Sequence, residues 1–161
     1  MSVHHREDSV RSLKLSNMGI TPPSDWNDLE QVRYVKRREM GADCTAAIYA
    51  GIDIGGKRYS LTEHDQTELM AQLQTVKEGA PAVPYHADGE LCRMFTAEEF
   101  VAVATVAMQH IFYHRTYCNH LNAWVRRGKL GEVKGIFYGK ELPKDLAENM
   151  AEILAKAGEL F

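Results

Sequence analysis

Apolar side chains recur at helical intervals through four stretches of this chain, and two short alternating stretches lie between them. Leu29, Val32, Val35 or Lys36, Met40, Cys44, Ala47 and Ile48 repeat every three or four residues up to Gly51. That pattern predicts a long amphipathic helix, capped by Asp25 or Asn27 near Trp26. Ile52-Asp53-Ile54, Gly55-Gly56 and Lys57-Arg58-Tyr59-Ser60 read as a β-hairpin with a glycine turn. Thr62 and Asp65 have capping-box spacing and open a helix through Leu69, Leu73 and Val76 to Gly79. Pro81 and Pro84 punctuate the next loop. A second hairpin is expected from Val83–Ala87 and Glu90–Phe95 about the turn Asp88-Gly89. Thr96 and Glu99 then cap the longest helix, which carries Phe100, Val103, Ala107, His110 or Ile111, His114, Cys118, Leu121 and Val125 and ends at Gly128 and Gly131. Residues 133–138 predict a short strand. Pro143 opens a last helix bearing Leu146, Met150, Ile153, Leu154 and Ala157.

Residues 1–25 show little periodicity and close on the breaker cluster Thr21-Pro22-Pro23-Ser24-Asp25, so an extended or poorly ordered arm is expected there. The organisation that follows is an arm (1–25), a core of helices and hairpins (26–131) and a C-terminal strand and helix appendage (132–161). The fold class is α+β, with two hairpins alternating with helices on one long aromatic-rich helix at 96–127.

Composition narrows the functions open to such a fold. The 161 residues carry a formal net charge of −3, which gives no dense basic surface for nucleic acid. Lys36-Arg37-Arg38 and Arg126-Arg127 read as solvated helix faces. No apolar run reaches bilayer-spanning length, and the first residues lack the apolar core of a secretory signal, so neither membrane insertion nor secretion is expected. Three cysteines without a disulfide framework fit reduced thiols.

Candidate chemistry concentrates in the middle of the chain. His110, His114 and Cys118 recur every four residues, so each advances only about 40° around a helix and all three share one side. A His-x-x-x-His pair can chelate one metal ion. A closed zinc-like site would need further donors, and His86, Asp88 and Cys92 are the nearest. A two-residue Asp88-Gly89 turn would place Tyr85 opposite Cys92 and His86 opposite Leu91, which sends His86 and Cys92 to opposite faces. No Cys-x-x-Cys or His-Glu-x-x-His motif supports a metal centre. The expectation is therefore no cofactor, with a zinc-like site at His86, Cys92, His110, His114 and Cys118 as the competing reading. A catalytic thiol would want a cationic or helix-N-terminal setting that neither Cys92 nor Cys118 has in this pattern. Asp88 and Glu90 read as turn former and exposed strand residue. Gly51–Gly56 lacks the Gly-Lys-Ser/Thr ending of a phosphate-binding loop.

The aromatic residues suggest contacts instead. Tyr113, Tyr117 and Trp124 lie one to two turns apart and would form an exposed stripe on the long helix. Large aromatics on a second helix face predict an oligomer or partner interface.

The runs Ala46–Asp53, Tyr59–Gln66, Val83–Glu99 and His110–Trp124 together resemble an uncharacterised domain family. That family occurs in small proteins encoded among the tail and tail-fibre genes of phages and prophages of Gram-positive gut bacteria. The resemblance covers roughly residues 44–127 and implies a virion or tail-assembly component more than an enzyme. It carries no assigned catalytic residues. The expected function is a phage tail-associated structural or adaptor protein, located in the virion or host cytoplasm. Its expected partners are itself and other phage tail or host proteins. Two other classes are a small metal-binding protein or enzyme, and a phage-encoded binder of a host defence protein or nucleotide signal.

Overall fold

The computed structural model describes residues 2–160, so Met1 and Phe161, the end residues of the expected arm and appendage, lie outside the described residues. The elements follow in the order α1 (Val3–Asn17), α2 (Leu29–Ala50), β1 (Ile52–Ile54), β2 (Lys57–Tyr59), α3 (Glu63–Lys77), β3 (Ala82–Tyr85), β4 (Arg93–Thr96), α4 (Ala97–Arg127), α5 (Leu130–Lys134) and α6 (Lys144–Gly158). Two antiparallel hairpins, β1–β2 and β3–β4, are set among the helices. This is the expected α+β class, with α4 as its long helix. Among the described residues no helix is long and apolar enough to cross a membrane.

The chain divides into two compact units. The first combines the residues up to Cys44 with Thr116–Ile153; the second combines Thr45–Arg115 with the residues from Leu154 onward. The segment 26–131 therefore contributes to both.

In the first unit, the expected N-terminal arm is largely helix. The Ser2 hydroxyl accepts from His5 N and starts α1. Leu15 and Ile20 then join Val35 in a buried cluster closed by Met18 and Trp26. The helix is held as much by polar contacts as by apolar ones: Trp26 Nε1 donates to Ser12 Oγ at 2.8 Å, and Lys134 pairs with Asp8 at 3.0 Å. Leu15 is the one buried residue of α1, so no apolar periodicity announced it. Helix α2 starts later than expected. The Asp28 carboxylate, rather than Asp25 or Asn27, accepts from Glu30 N and Gln31 N at 3.1 and 3.2 Å. Residues 133–138 make no strand; Val133 closes the short helix α5, and Val133 and Ile136 are fully buried at helical rather than alternating spacing.

In the second unit, the capping boxes at Thr62–Asp65 and Thr96–Glu99 form as expected. The β1–β2 hairpin pairs Ile52 with Tyr59. Gly51 enters it at φ +79°, where a side chain would run into the Tyr59 carbonyl, so only glycine fits. The second hairpin differs from expectation. Val83 faces Phe95 and Tyr85 faces Arg93, one residue off the register a two-residue turn would impose. The strands stop there, and residues 86–92 form a loop. Asp88 anchors that loop to β2: its backbone N donates to Arg58 O at 2.8 Å, Ser60 N donates to its Oδ1 at 3.1 Å, and Ser60 Oγ donates to its Oδ2. The carboxylate is spent on this junction, which is why it does not close a tight turn. Tyr85 sits at the centre of an aromatic group, stacked on Tyr59 at 6.2 Å and edge-on to Phe95 and Phe100 at 5.9 and 5.3 Å. Burial pushes its hydroxyl up to about 12.

Candidate functional site

The expected metal donors are distributed by these elements. His86 and Cys92 lie in the exposed 86–92 loop, and the Nδ1–H of His86 donates to Ala87 O at 2.9 Å. Since the loop replaces a two-residue turn, the argument that set these residues on opposite hairpin faces does not apply. His110 and His114 do come together in the second unit, with ring centroids 4.6 Å apart, as i and i+4 residues of α4 should. His110 Nε2, however, donates to Ala47 O at 3.0 Å. Burial, then the neighbouring His110, holds His114 below the ordinary histidine range. Cys118 belongs to the first unit, where its thiol meets Cys44, donates to Met40 O at 3.7 Å and accepts from Asn122 Nδ2 at 3.7 Å. Burial, chiefly, pushes that thiol up to about 12, so it is a poor nucleophile at neutral pH. Among the described residues, no group of three or more His, Cys, Asp or Glu side chains is placed to hold a metal ion.

The expected aromatic stripe breaks at the same point. Tyr117 and Trp124 are only 7% and 6% exposed. The Tyr117 hydroxyl donates to Lys140 O and accepts from Gly139 N at 3.0 Å, and Trp124 Nε1 donates to Glu132 Oε1 at 2.8 Å. Both rings fix the 132–140 segment within the first unit and are unavailable to a partner. Tyr113 is different: it is 47% exposed. With Val106 it marks an apolar strip on the N-terminal half of α4, since 106 and 113 lie two turns apart, whereas the exposed Val101 lies on another side of the helix. Phe100, Val103, Ala104, Ala107 and Ile111 face inward. A cavity of about 240 Å³ lined by Gln109, Phe112, Tyr113, Leu154, Ala157 and Gly158 adjoins the strip within the second unit.

Sequence reasoning missed the polar interior of the first unit. Lys36, expected on a solvated face, is 4% exposed and Glu39 is 2% exposed. Lys36 Nζ donates to Glu39 Oε2 at 3.1 Å and to Ile136 O at 2.7 Å, while Lys14 takes the other Glu39 oxygen at 3.1 Å. Desolvation lowers the Lys36 ammonium below the lysine range, against the opposing pull of Glu39. The signal was present: Val32, Lys36 and Met40 are spaced by four, and both flanking residues are fully buried. His120 is likewise buried, its Nδ1–H donating to Thr116 O at 2.7 Å and its Nε2 accepting from Asn149 Nδ2 at 2.8 Å.

A family model described as Domain of unknown function (DUF4376) matches residues 31–133. No curated protein and no solved structure matches the chain.

Proposed function

The chain belongs to the DUF4376 family, and we propose that it works as a protein-binding adaptor associated with a phage tail. The observation that carries the binding role is the strip Val106 and Tyr113, apolar and exposed on a helix whose inward face is buried. Exposed apolar side chains aligned along one rigid helix are what a helix-face interface requires. In the same molecule the chemistry-bearing residues His110, Cys118, His120, Lys36 and Glu39 are engaged in bonds that hold the fold. The phage-tail setting rests on the resemblance of residues 44–127. Mass spectrometry of purified particles of the encoding phage tests it. The expected result is this chain present in fixed ratio to tail proteins; its absence from particles and from tail-assembly intermediates would contradict the reading.

A further inference from the structure

A second surface in the first unit has a different chemistry. Arg33 and Arg37 of α2 and Arg126 of α4 line a groove of about 350 Å³ with Tyr34 and Glu30. Arg33 is pinned in place: its Nε donates to Val125 O at 3.1 Å, one terminal nitrogen donates to Gly128 O at 3.0 Å, and the other meets Glu30 at 2.8 Å. The Glu30 carboxylate, the acid in the groove lining, is thus engaged with Arg33. Arg37 and Arg126 both line the groove and have no carboxylate partner among the described residues. Two cations facing one concavity repel each other, and a bound anion would relieve that repulsion.

Tyr34 sits at the rim, 61% exposed. Tyr34 also lines a second groove of about 440 Å³, together with Thr21, Pro22, Pro23, Gln31, Val35 and Arg38. The two grooves share Tyr34 and Glu30. A ligand that fills both must join an anionic group to a flat, largely apolar one. Phosphate suits the paired arginines, because guanidinium groups bind it bidentately, and a heterocyclic base suits the tyrosine and proline lining.

We infer that the Arg37–Arg126 groove and the second groove, which shares Tyr34, form a binding site for a small nucleotide, with phosphates on the arginines and the base against Tyr34. The charge is local to this groove on a chain of net charge −3, which favours a mononucleotide over a nucleic acid strand that needs a long basic track.

Calorimetric titration of the full chain with ADP, pyrophosphate, adenosine and a single-stranded oligonucleotide tests the inference. ADP is expected to bind below about 1 mM, with adenosine and pyrophosphate each at least about tenfold weaker. Arg37→Gln and Arg126→Gln should each weaken ADP about tenfold, and Tyr34→Ala should weaken ADP but not pyrophosphate. All three side chains are solvent-facing, so circular dichroism should show unchanged folding in the variants. No ADP binding at about 1 mM, or ADP affinity indifferent to Arg37→Gln and Arg126→Gln, would overturn the inference. So would pyrophosphate binding as tightly as ADP, or the oligonucleotide binding more than about tenfold tighter than ADP, since the first removes the base and the second replaces the ligand class.

Discussion

Lys36 Nζ lies 3.1 Å from Glu39 Oε2, one turn apart on α2, with both side chains almost wholly removed from solvent. Lys14 reaches the same carboxylate from α1 at 3.1 Å, and Lys36 also donates to Ile136 O. One buried acid therefore ties α1 to α2, and one buried cation ties α2 to the segment after α5. Removing one member strands the other's charge. Lys36→Met or Glu39→Leu alone is expected to destabilise the chain by about 3–5 kcal/mol, and the Lys36→Met/Glu39→Leu double variant by less than the sum. Urea unfolding of the four proteins checks this; additive losses would mean that the two charges are not coupled.

His114 supplies a pH signature. Its folded-state value is lowered by burial and by His110, so the unfolded chain binds the proton more readily. Stability contributed by the neutral ring is present above the ordinary histidine value of about 6.5 and falls as pH drops below it. The melting temperature of wild type should decline between pH 7 and pH 5 more steeply than that of His114→Gln, with about 6.5 as the upper edge of the window. Parallel curves would remove His114 as the cause.

Thiol accessibility separates the three cysteines. Cys92 is exposed, Cys44 is buried, and the half-buried Cys118 thiol is pushed up to about 12. Iodoacetamide on the native protein should label Cys92 alone, and all three after unfolding in guanidinium. Peptide mapping by mass spectrometry reads the outcome, and rapid native labelling of Cys118 would contradict its environment.

Gly51 tests the hairpin geometry. Alanine there would need a strained positive φ and would collide with the Tyr59 carbonyl. Gly51→Ala should cost at least about 2 kcal/mol in a urea titration. Gly55 and Gly56, which also have positive φ but open space around them, should cost less on the same substitution.

Much of this architecture was legible in the pattern of apolar residues. The capping boxes at Thr62 and Thr96, the Gly55-Gly56 hairpin and the span of α4 all follow from local spacing, and local rules govern them. Helix α1 was not legible, because a single leucine and a set of ion pairs dock it, and ion pairs leave no periodic trace. The β3–β4 register was misread because Asp88 bonds to Ser60, a partner 28 residues away that turn chemistry cannot reveal. The candidate site was half legible. Tyr113 was rightly placed on an exposed face, whereas Tyr117 and Trp124 share its helix but are covered by the 132–140 segment, a long-range effect. The Arg37–Arg126 groove was invisible as a groove, since its two halves come from basic stretches far apart in the chain.

The central claim is that the Val106–Tyr113 face of α4 is covered by another protein chain when the phage assembles. Site-specific photocrosslinking measures that directly, with benzoylphenylalanine placed at Val106 or Tyr113 and, as a control, at the exposed Thr75 of α3, in cells producing the phage. Crosslinks from Val106 and Tyr113 to another chain, whether a second copy or a tail protein, with none from Thr75, are the predicted result. No crosslink from either α4 position, or equal crosslinking from Thr75, would contradict it.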